Sequence, residues 1–147
     1  MKYLLRPVLF LLLFFASSFT SVHSAEKTFG DYTIHYSAFN ADFLSPSVAK
    51  AYNIQRSKNR AVLNVTVLKK TGEALPTPIQ ANVSGTAITV YQKARPLKIR
   101  EIKDQNSYYY IAEFPVANEE TLNFKVSASA EGKDIGDVSF QQQFFTQ

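Results

Sequence analysis

Apolar and polar side chains alternate with a period of two along most of this chain after residue 30. The alternation is clearest in four segments, residues 32–37, 61–68, 122–128 and 138–144. Successive side chains of a strand point to opposite faces, so this period predicts half-buried β-strands. Further short runs rich in β-prone residues occur at residues 79–83, 88–91, 97–102 and 108–114. The chain is therefore predicted to contain seven or eight strands.

The connections between these runs favour an antiparallel arrangement. Turn-forming residues occupy positions 70–73, 104–107 and 131–134. These short connections leave no room for the long crossovers that parallel strands require. Ser45, a capping residue, precedes Pro46 and predicts a short helix near residues 46–52, with an irregular loop as the alternative. The predicted fold is an all-β, immunoglobulin-like antiparallel sandwich, and a small closed barrel is the alternative.

The first 24 residues differ from the rest of the chain. Lys2 and Arg6 precede the apolar residues 8–16, and small and polar residues follow as far as Ala25. This layout predicts a cleaved Sec-type signal peptide over residues 1–24, with cleavage after Ala25 as the alternative. The apolar run is too short to span a bilayer, and no cysteine follows it as a lipoprotein would require. A single domain over residues 25–147, periplasmic or secreted and without a transmembrane span, is expected.

Charge argues against nucleic acid as a partner. The 16 basic and 12 acidic residues give +4, and removal of the two bases in residues 1–24 leaves 14 − 12 = +2, too little for a strongly basic patch. Residues 43–72 hold six bases and no acid, whereas residues 101–147 hold eight acids and three bases. The two parts form a bipolar surface, or their strands interleave and the charges mix. Interleaving is favoured for a sandwich.

The residue types that most catalytic and metal sites use are scarce. The chain has no cysteine, and its one methionine is Met1. His35 is the only histidine after residue 24, too few for a site that needs three or four ligands. We expect His35 to be a structural or surface residue. The adjacent pair Glu119 and Glu120 is expected to lie in a solvated loop. The sequence thus predicts neither a cofactor nor an enzymatic activity.

A family resemblance appears in the framework segments. Residues 60–69 are followed by the turn Lys70-Thr71-Gly72-Glu73, and Thr77-Pro78 begins the next β-prone run. With Phe29-Gly30-Asp31-Tyr32 and residues 108–114, the chain resembles small exported bacterial proteins catalogued as a domain of unknown function (family 4426). The resemblance covers nearly all of residues 25–147. It implies an immunoglobulin-like fold and export, and it brings no catalytic residue with it.

Aromatic and basic residues supply the candidate interaction surface. Three consecutive tyrosines necessarily show both faces of their strand, and Phe144 and Phe145 likewise place one ring on each face. At least one tyrosine faces outward unless loops and residues 45–52 cover that face. Tyrosine is favoured at interfaces because it offers apolar area with a polar tip. The candidate surface comprises Tyr108, Tyr109, Tyr110, His35, Arg56, Lys58 and Arg60.

These patterns predict a module that acts by contact. The hypothesis is an exported, non-enzymatic β-sandwich that binds another envelope protein in the periplasm. The alternative is a carrier that holds a small ligand in a pocket lined by tyrosines. An enzyme with an unusual Tyr, Asp and Lys site is the least favoured hypothesis, because the usual general bases are nearly absent.

Overall fold

The computed structural model describes residues 24–147, so residues 1–23 of the predicted signal peptide lie outside the described residues. Within the described part, no helix is both long enough and apolar enough to cross a membrane. A 3₁₀ turn spans Ala41–Phe43, and helix α1 spans Pro46–Ala51. The strands are β1 Ala25–Phe29, β2 Tyr32–Asn40, β3 Arg60–Lys69, β4 Thr77–Pro78, β5 Asn82–Thr89, β6 Ala94–Pro96, β7 Arg100–Asp104, β8 Ser107–Pro115, β9 Glu120–Ala130 and β10 Lys133–Phe144.

All strand pairs are antiparallel and form two sheets. One sheet has the order β1-β2-β3-β8-β7, with β4 also paired to β3, and the other has the order β10-β9-β5-β6. The predicted antiparallel sandwich is confirmed. The predicted helix is present as well, because the Ser45 side chain accepts a hydrogen bond from the Val48 amide at 3.3 Å and Pro46 lies in the first turn.

The described chain has ten strands where the sequence predicts seven or eight. Residues 79–91, predicted as two strands, contain one continuous strand, β5, while β1 was not predicted. The predicted run at 97–102 overlaps β7 in one sheet, and β6, which precedes that run and lies in the other sheet, was not predicted. Alternation is the same in either sheet, so the period alone does not show where a chain changes sheets.

The main core lies between the two sheets. Phe124 and Phe144 are almost wholly buried there with Leu63 and Val65 of the opposite sheet. The Phe124 ring stacks on Phe140 at a centroid distance of 4.8 Å. Aromatic pairs of this kind add to the free energy of burying their area. Since the chain has no cysteine, this core stabilises the sandwich without a disulfide.

A second cluster covers part of the outer face of the six-stranded sheet. Val62 of β3 and Ile111 of β8 point away from the main core and pack with Ala41, Ala49 and Ile54 of the β2–β3 connection. The connection, including α1, therefore covers one end of this face. This agrees with the alternative in which residues 45–52 cover a sheet face.

Tyr110 holds the segment in which the chain passes from one sheet to the other. Its hydroxyl accepts a hydrogen bond from the Ala81 amide at 2.6 Å and donates one to Glu101 at 3.1 Å. Ala81 directly precedes β5, where the chain passes from one sheet to the other. Burial, opposed by the hydrogen bond from the Ala81 amide and aided by the hydrogen bond and charge of Glu101, raises the pKa of Tyr110 to about 12.

We expect Tyr110→Phe to lower the free energy of unfolding at neutral pH by about 1–3 kcal/mol, because the buried Ala81 amide loses its acceptor. The folded pKa of about 12 lies above the ordinary value of 10.0, so the neutral phenol stabilises the fold below pH 10. That contribution is lost as the pH rises through 10 toward 12. Urea unfolding at several pH values measures both effects. Tyr91→Phe is the control, because Tyr91 is exposed. The prediction would be contradicted if the free energy of unfolding of Tyr110→Phe fell as steeply at alkaline pH as that of the unaltered protein.

Candidate interaction surface

The three consecutive tyrosines do not form one surface. Tyr110 is 3% exposed and faces the core between the sheets, so its predicted place on the surface is wrong. Tyr108 points the same way and is half-buried against that core. Tyr109 faces the opposite side, where its ring lies 5.8 Å from that of Tyr52 after α1. Because the strand sends alternate rings to opposite faces, the three do not line one pocket either.

Two of the three predicted basic residues make contacts within the chain. Arg56 donates from Nε to the Leu44 carbonyl at 2.7 Å and from Nη2 to the Asp42 carbonyl at 2.9 Å. These bonds hold the β2–β3 connection in place. Arg60 lies 3.9 Å from Glu113 on the neighbouring strand. Lys58 is exposed, as predicted.

His35 lies on the outer face of the six-stranded sheet. Its Nδ1 is 3.3 Å from the Glu26 carboxylate on β1. A shallow groove beside it is bordered by Ser37, Asn64 and Tyr109. Of the seven predicted residues, this groove brings together only His35 and Tyr109. Within residues 24–147, no three His, Asp or Glu side chains converge as a metal site would require.

Charges that are separated in sequence are mixed in space. Glu113 lies within 4 Å of both Arg60 and Arg100, at 3.9 Å and 3.6 Å. Lys69 and Tyr32 both donate to Glu131 at 2.6 Å, and these hydrogen bonds lower the pKa of its carboxyl. The contacts of Arg60 and Lys69 join the basic part of the chain, residues 43–72, to its acidic part, residues 101–147. These contacts agree with the alternative in which the strands interleave and the charges mix, and not with a bipolar surface.

Large apolar side chains are exposed at one end of the sandwich. This apolar end comprises Phe43, Val90, Tyr91 and Phe145, of which Tyr91 is 89% exposed and the others 55–57%. They lie on the β2–β3 connection, the β5–β6 turn and the segment after β10. The Asn40 amide joins the two sheets here, since it donates to the carbonyls of Lys58 and Phe145 at 2.8 Å and 2.9 Å.

Hydrogen bonds hold the apolar end in shape. In the β5–β6 turn, the Thr89 amide donates to the Lys93 carbonyl at 3.0 Å, and the Lys93 amide donates to the Thr89 hydroxyl at 3.1 Å. The β8–β9 turn lies between this turn and Phe145. Asn118 of this turn accepts from the Thr146 amide at 3.0 Å, and Glu120, the first residue of β9, pairs with Arg95 of β6 at 2.5 Å. The exposed rings thus project from an ordered support.

Strand alternation did not reveal this end. It placed Val90 and Tyr91 inside the predicted strand 88–91, but β5 ends at Thr89. Gln92 then has φ +62°, which turns the chain back and leaves Tyr91 in solvent. The geometry of the turn determines that Tyr91 is exposed, and the alternation of apolar residues does not predict that geometry. Phe144 at the end of β10 is 1% exposed, whereas Phe145, which follows the strand, is 57% exposed.

Several solved structures share this fold. A DUF4426 family protein from Pseudomonas aeruginosa PAO1 is 34% identical, with 83% of this chain and 94% of that chain covered and a TM-score of 0.70. FetP from uropathogenic Escherichia coli strain F11 is 9% identical, with coverage of 84% and 95% and a TM-score of 0.57. A copper-bound FetP variant is 10% identical, with coverage of 82% and 93% and a TM-score of 0.52. The likeness to FetP shows the fold alone.

No curated protein matches the chain in sequence. The family model described as "Domain of unknown function (DUF4426)" matches residues 26–147. This range includes all the framework segments on which the resemblance was based, and the resemblance is confirmed. The chain belongs to the DUF4426 family.

Proposed function

We propose that this protein is an exported, non-enzymatic β-sandwich module that acts by protein–protein interaction in the periplasm, with the apolar end as a contact surface. The observation that carries the proposal is the exposure of Phe43, Val90, Tyr91 and Phe145 on one ordered end. Burying such side chains gains about 25 cal/mol per Å² of apolar area. Exposed apolar patches on loops held by a rigid scaffold are typical of binding surfaces.

Export is part of the proposal and has separate support. The positively charged start, the short apolar run and the small residues before Ala25 are the features of a cleaved signal peptide. FetP, which shares the fold, was expressed recombinantly in the periplasm of E. coli. A sandwich with a buried core and no cysteine needs no disulfide in that compartment.

Copper is not part of the proposed function. One of the FetP neighbours is copper-bound, but the residues of this chain do not fit such a site. His35 is the only imidazole in the described chain, and its near neighbour is the Glu26 carboxylate. The thiolate and thioether ligands that copper favours are absent after Met1.

Photo-crosslinking in living cells tests the contact surface. We expect p-benzoylphenylalanine at position 91 or 145 of the full chain to yield the same protein adduct, because both side chains belong to the apolar end. Leu75 is the matched control, since it is apolar and 85% exposed but lies in the β3–β4 connection. Immunoblotting followed by mass spectrometry identifies the adduct.

Two results would contradict the proposal. The first is the absence of an adduct from both positions across several growth conditions. The second is an equal adduct from position 75, which would indicate non-specific capture. Detection of the protein in the cytoplasm with an intact N-terminus would contradict export.

A further inference from the structure

β10 forms a long open edge of the four-stranded sheet. It has 12 residues, and among the described residues it is paired only with β9. The other edge strand of this sheet, β6, has three residues. A long edge presents unpaired backbone donors and acceptors, which proteins normally cover or guard with charges. From Val138 to Phe144, β10 carries no charged residue.

Existing hydrogen bonds show which backbone groups face outward. The Lys27 ammonium donates to the Asp137 carbonyl at 3.3 Å, and the side-chain amide of Gln142 donates to the Gln143 carbonyl at 2.8 Å. Both acceptors are odd-numbered residues. Because strand carbonyls alternate in direction, the N–H and C=O groups of Ser139 and Gln141 also point away from β9. Side chains thus occupy the two ends of the edge, and no side chain of residues 24–147 hydrogen-bonds to the backbone groups in its middle.

A cleft runs beside this free segment. It has a volume of about 340 Å³ and is bordered by Ala25, Tyr36, Phe140 and residues 141–143. The Tyr36 and Phe140 rings, 4.8 Å apart, give it an apolar wall. Strand β1 approaches β10 nearer the start of β10, where Phe29 lies against Gly136. A strand added along residues 139–141 would therefore place alternate side chains over the cleft.

We infer that the β10 edge at Ser139 and Gln141 accepts an extended segment of a partner protein by β-strand addition, with an apolar side chain of that segment seated in the cleft. This inference rests on the proposed function, because it specifies how a protein partner is held. Main-chain hydrogen bonds supply affinity in this mode, and the pocket for alternate side chains supplies selectivity. The chemistry that fits is an uncharged strand with an apolar residue at every second position.

A second copy of the chain fits this edge less well. Paired with itself, β10 would offer its inward side chains to the cleft. Those side chains are already in use, since Phe144 is buried and Phe140 stacks on Phe124. A second β10 therefore has no free apolar side chain to fill the cleft, whereas an extended partner segment does.

Amide hydrogen exchange measured by NMR tests the inference. The probe is a short synthetic peptide in which threonine and leucine alternate, with a terminal lysine for solubility. We expect saturating peptide to slow the exchange of the Ser139 and Gln141 amides by about tenfold. The Phe140 and Gln142 amides, directed toward β9, are the internal reference. A peptide with serine in place of leucine should protect far less, because the cleft stays unfilled.

Two variants separate backbone docking from side-chain contact. Gln141→Pro removes the outward N–H and should abolish the peptide's protection of the Ser139 amide while leaving thermal unfolding nearly unchanged, as proline is tolerated on a free edge. Gln141→Ala keeps the N–H and should retain protection. If Gln141→Pro does not fold, the leucine and serine peptides on the unaltered chain still decide the question.

Several outcomes would overturn the inference. They are an absence of protection at Ser139 and Gln141, protection confined to other residues, or a dimer in which these amides are protected without peptide. Crosslinking distinguishes this failure from that of the proposed function. If p-benzoylphenylalanine at position 91 still yields a specific adduct while the edge remains unprotected, the partner docks elsewhere and the proposed function stands.

Discussion

Phe124→Ala should lower the free energy of unfolding by about 3–5 kcal/mol, the largest single-residue effect expected in this chain. The Phe124 ring is 1% exposed and contacts aromatic residues of both sheets. Its centroid lies 4.8 Å from Phe140, 5.7 Å from Phe114 and 6.3 Å from Phe144. Alanine would leave a cavity that these rings cannot fill together, because each is held by its own strand. Urea unfolding followed by circular dichroism measures the change.

Phe145→Ala is the matched control for this prediction. The ring of Phe145 is 57% exposed, so its removal should change the free energy of unfolding by less than about 0.5 kcal/mol. The same variant should weaken contact with the partner, because Phe145 belongs to the apolar end. A loss near that of Phe124→Ala would mean that Phe145 is buried and would remove it from the proposed surface. A loss below about 1 kcal/mol for Phe124→Ala would contradict a core shared by the two sheets.

Gly136→Ala should lower the free energy of unfolding by about 2–4 kcal/mol. A Cβ at this position would overlap the Phe29 ring, and overpacking of this kind costs about 1–3 kcal/mol. Gly136 also has φ +153°, a conformation that side chains rarely adopt, which adds about 1 kcal/mol or more. The register of β10 against β9 shifts at this point, between Asp134 and Gly136. Thermal and urea unfolding measure the loss.

Gly132→Ala separates the two causes. Gly132 also has a positive φ, +74°, but a Cβ there would meet nothing within 4 Å. This variant should show only the backbone cost, about 1 kcal/mol. Adding Phe29→Ala to Gly136→Ala should recover part of the loss, because the overlap disappears. Equal losses at the two glycines, or no recovery in the double variant, would contradict close packing of Phe29 on Gly136.

The position of Phe29 also matters for the proposed edge. Phe29 holds the end of β1 against β10, and Lys27 donates to the Asp137 carbonyl nearby. Displacement of the ring would release β1 from this end of β10. The free part of the edge would then extend from Ser139 toward Asp137. We therefore expect the peptide probe to protect more of β10 in Gly136→Ala, provided that the variant folds.

Local patterns were enough to predict most elements. Alternation in residues 61–68 and 122–128 predicted strands that the structure contains, because a period of two reflects the geometry of a single strand. Ser45 and Pro46 predicted α1 for a similar reason, since capping involves residues only a few positions apart. The framework segments also predicted the family, which the model match over residues 26–147 confirms.

The candidate surface depended on information that is not local. Tyr108, Tyr109 and Tyr110 look equivalent in sequence, yet Tyr110 is buried because it lies on the face of β8 that packs against the second sheet. Arg56 looks like a surface cation, yet it binds carbonyl groups of its own connection. The apolar end could not be predicted either, because it joins segments separated by up to about a hundred residues. Only the folded chain brings Phe43 and Phe145 to the same end.

The sequence by itself determined strand character, the short helix, the family and the absence of cysteine chemistry, because each depends on composition or on near neighbours. The tertiary structure decided which face of each strand is buried, how opposite charges mix, and that β10 is left at an edge. Those features follow from the order of strands in two sheets, and long-range pairing sets that order. The apolar end and the free segment of β10 are both consequences of it.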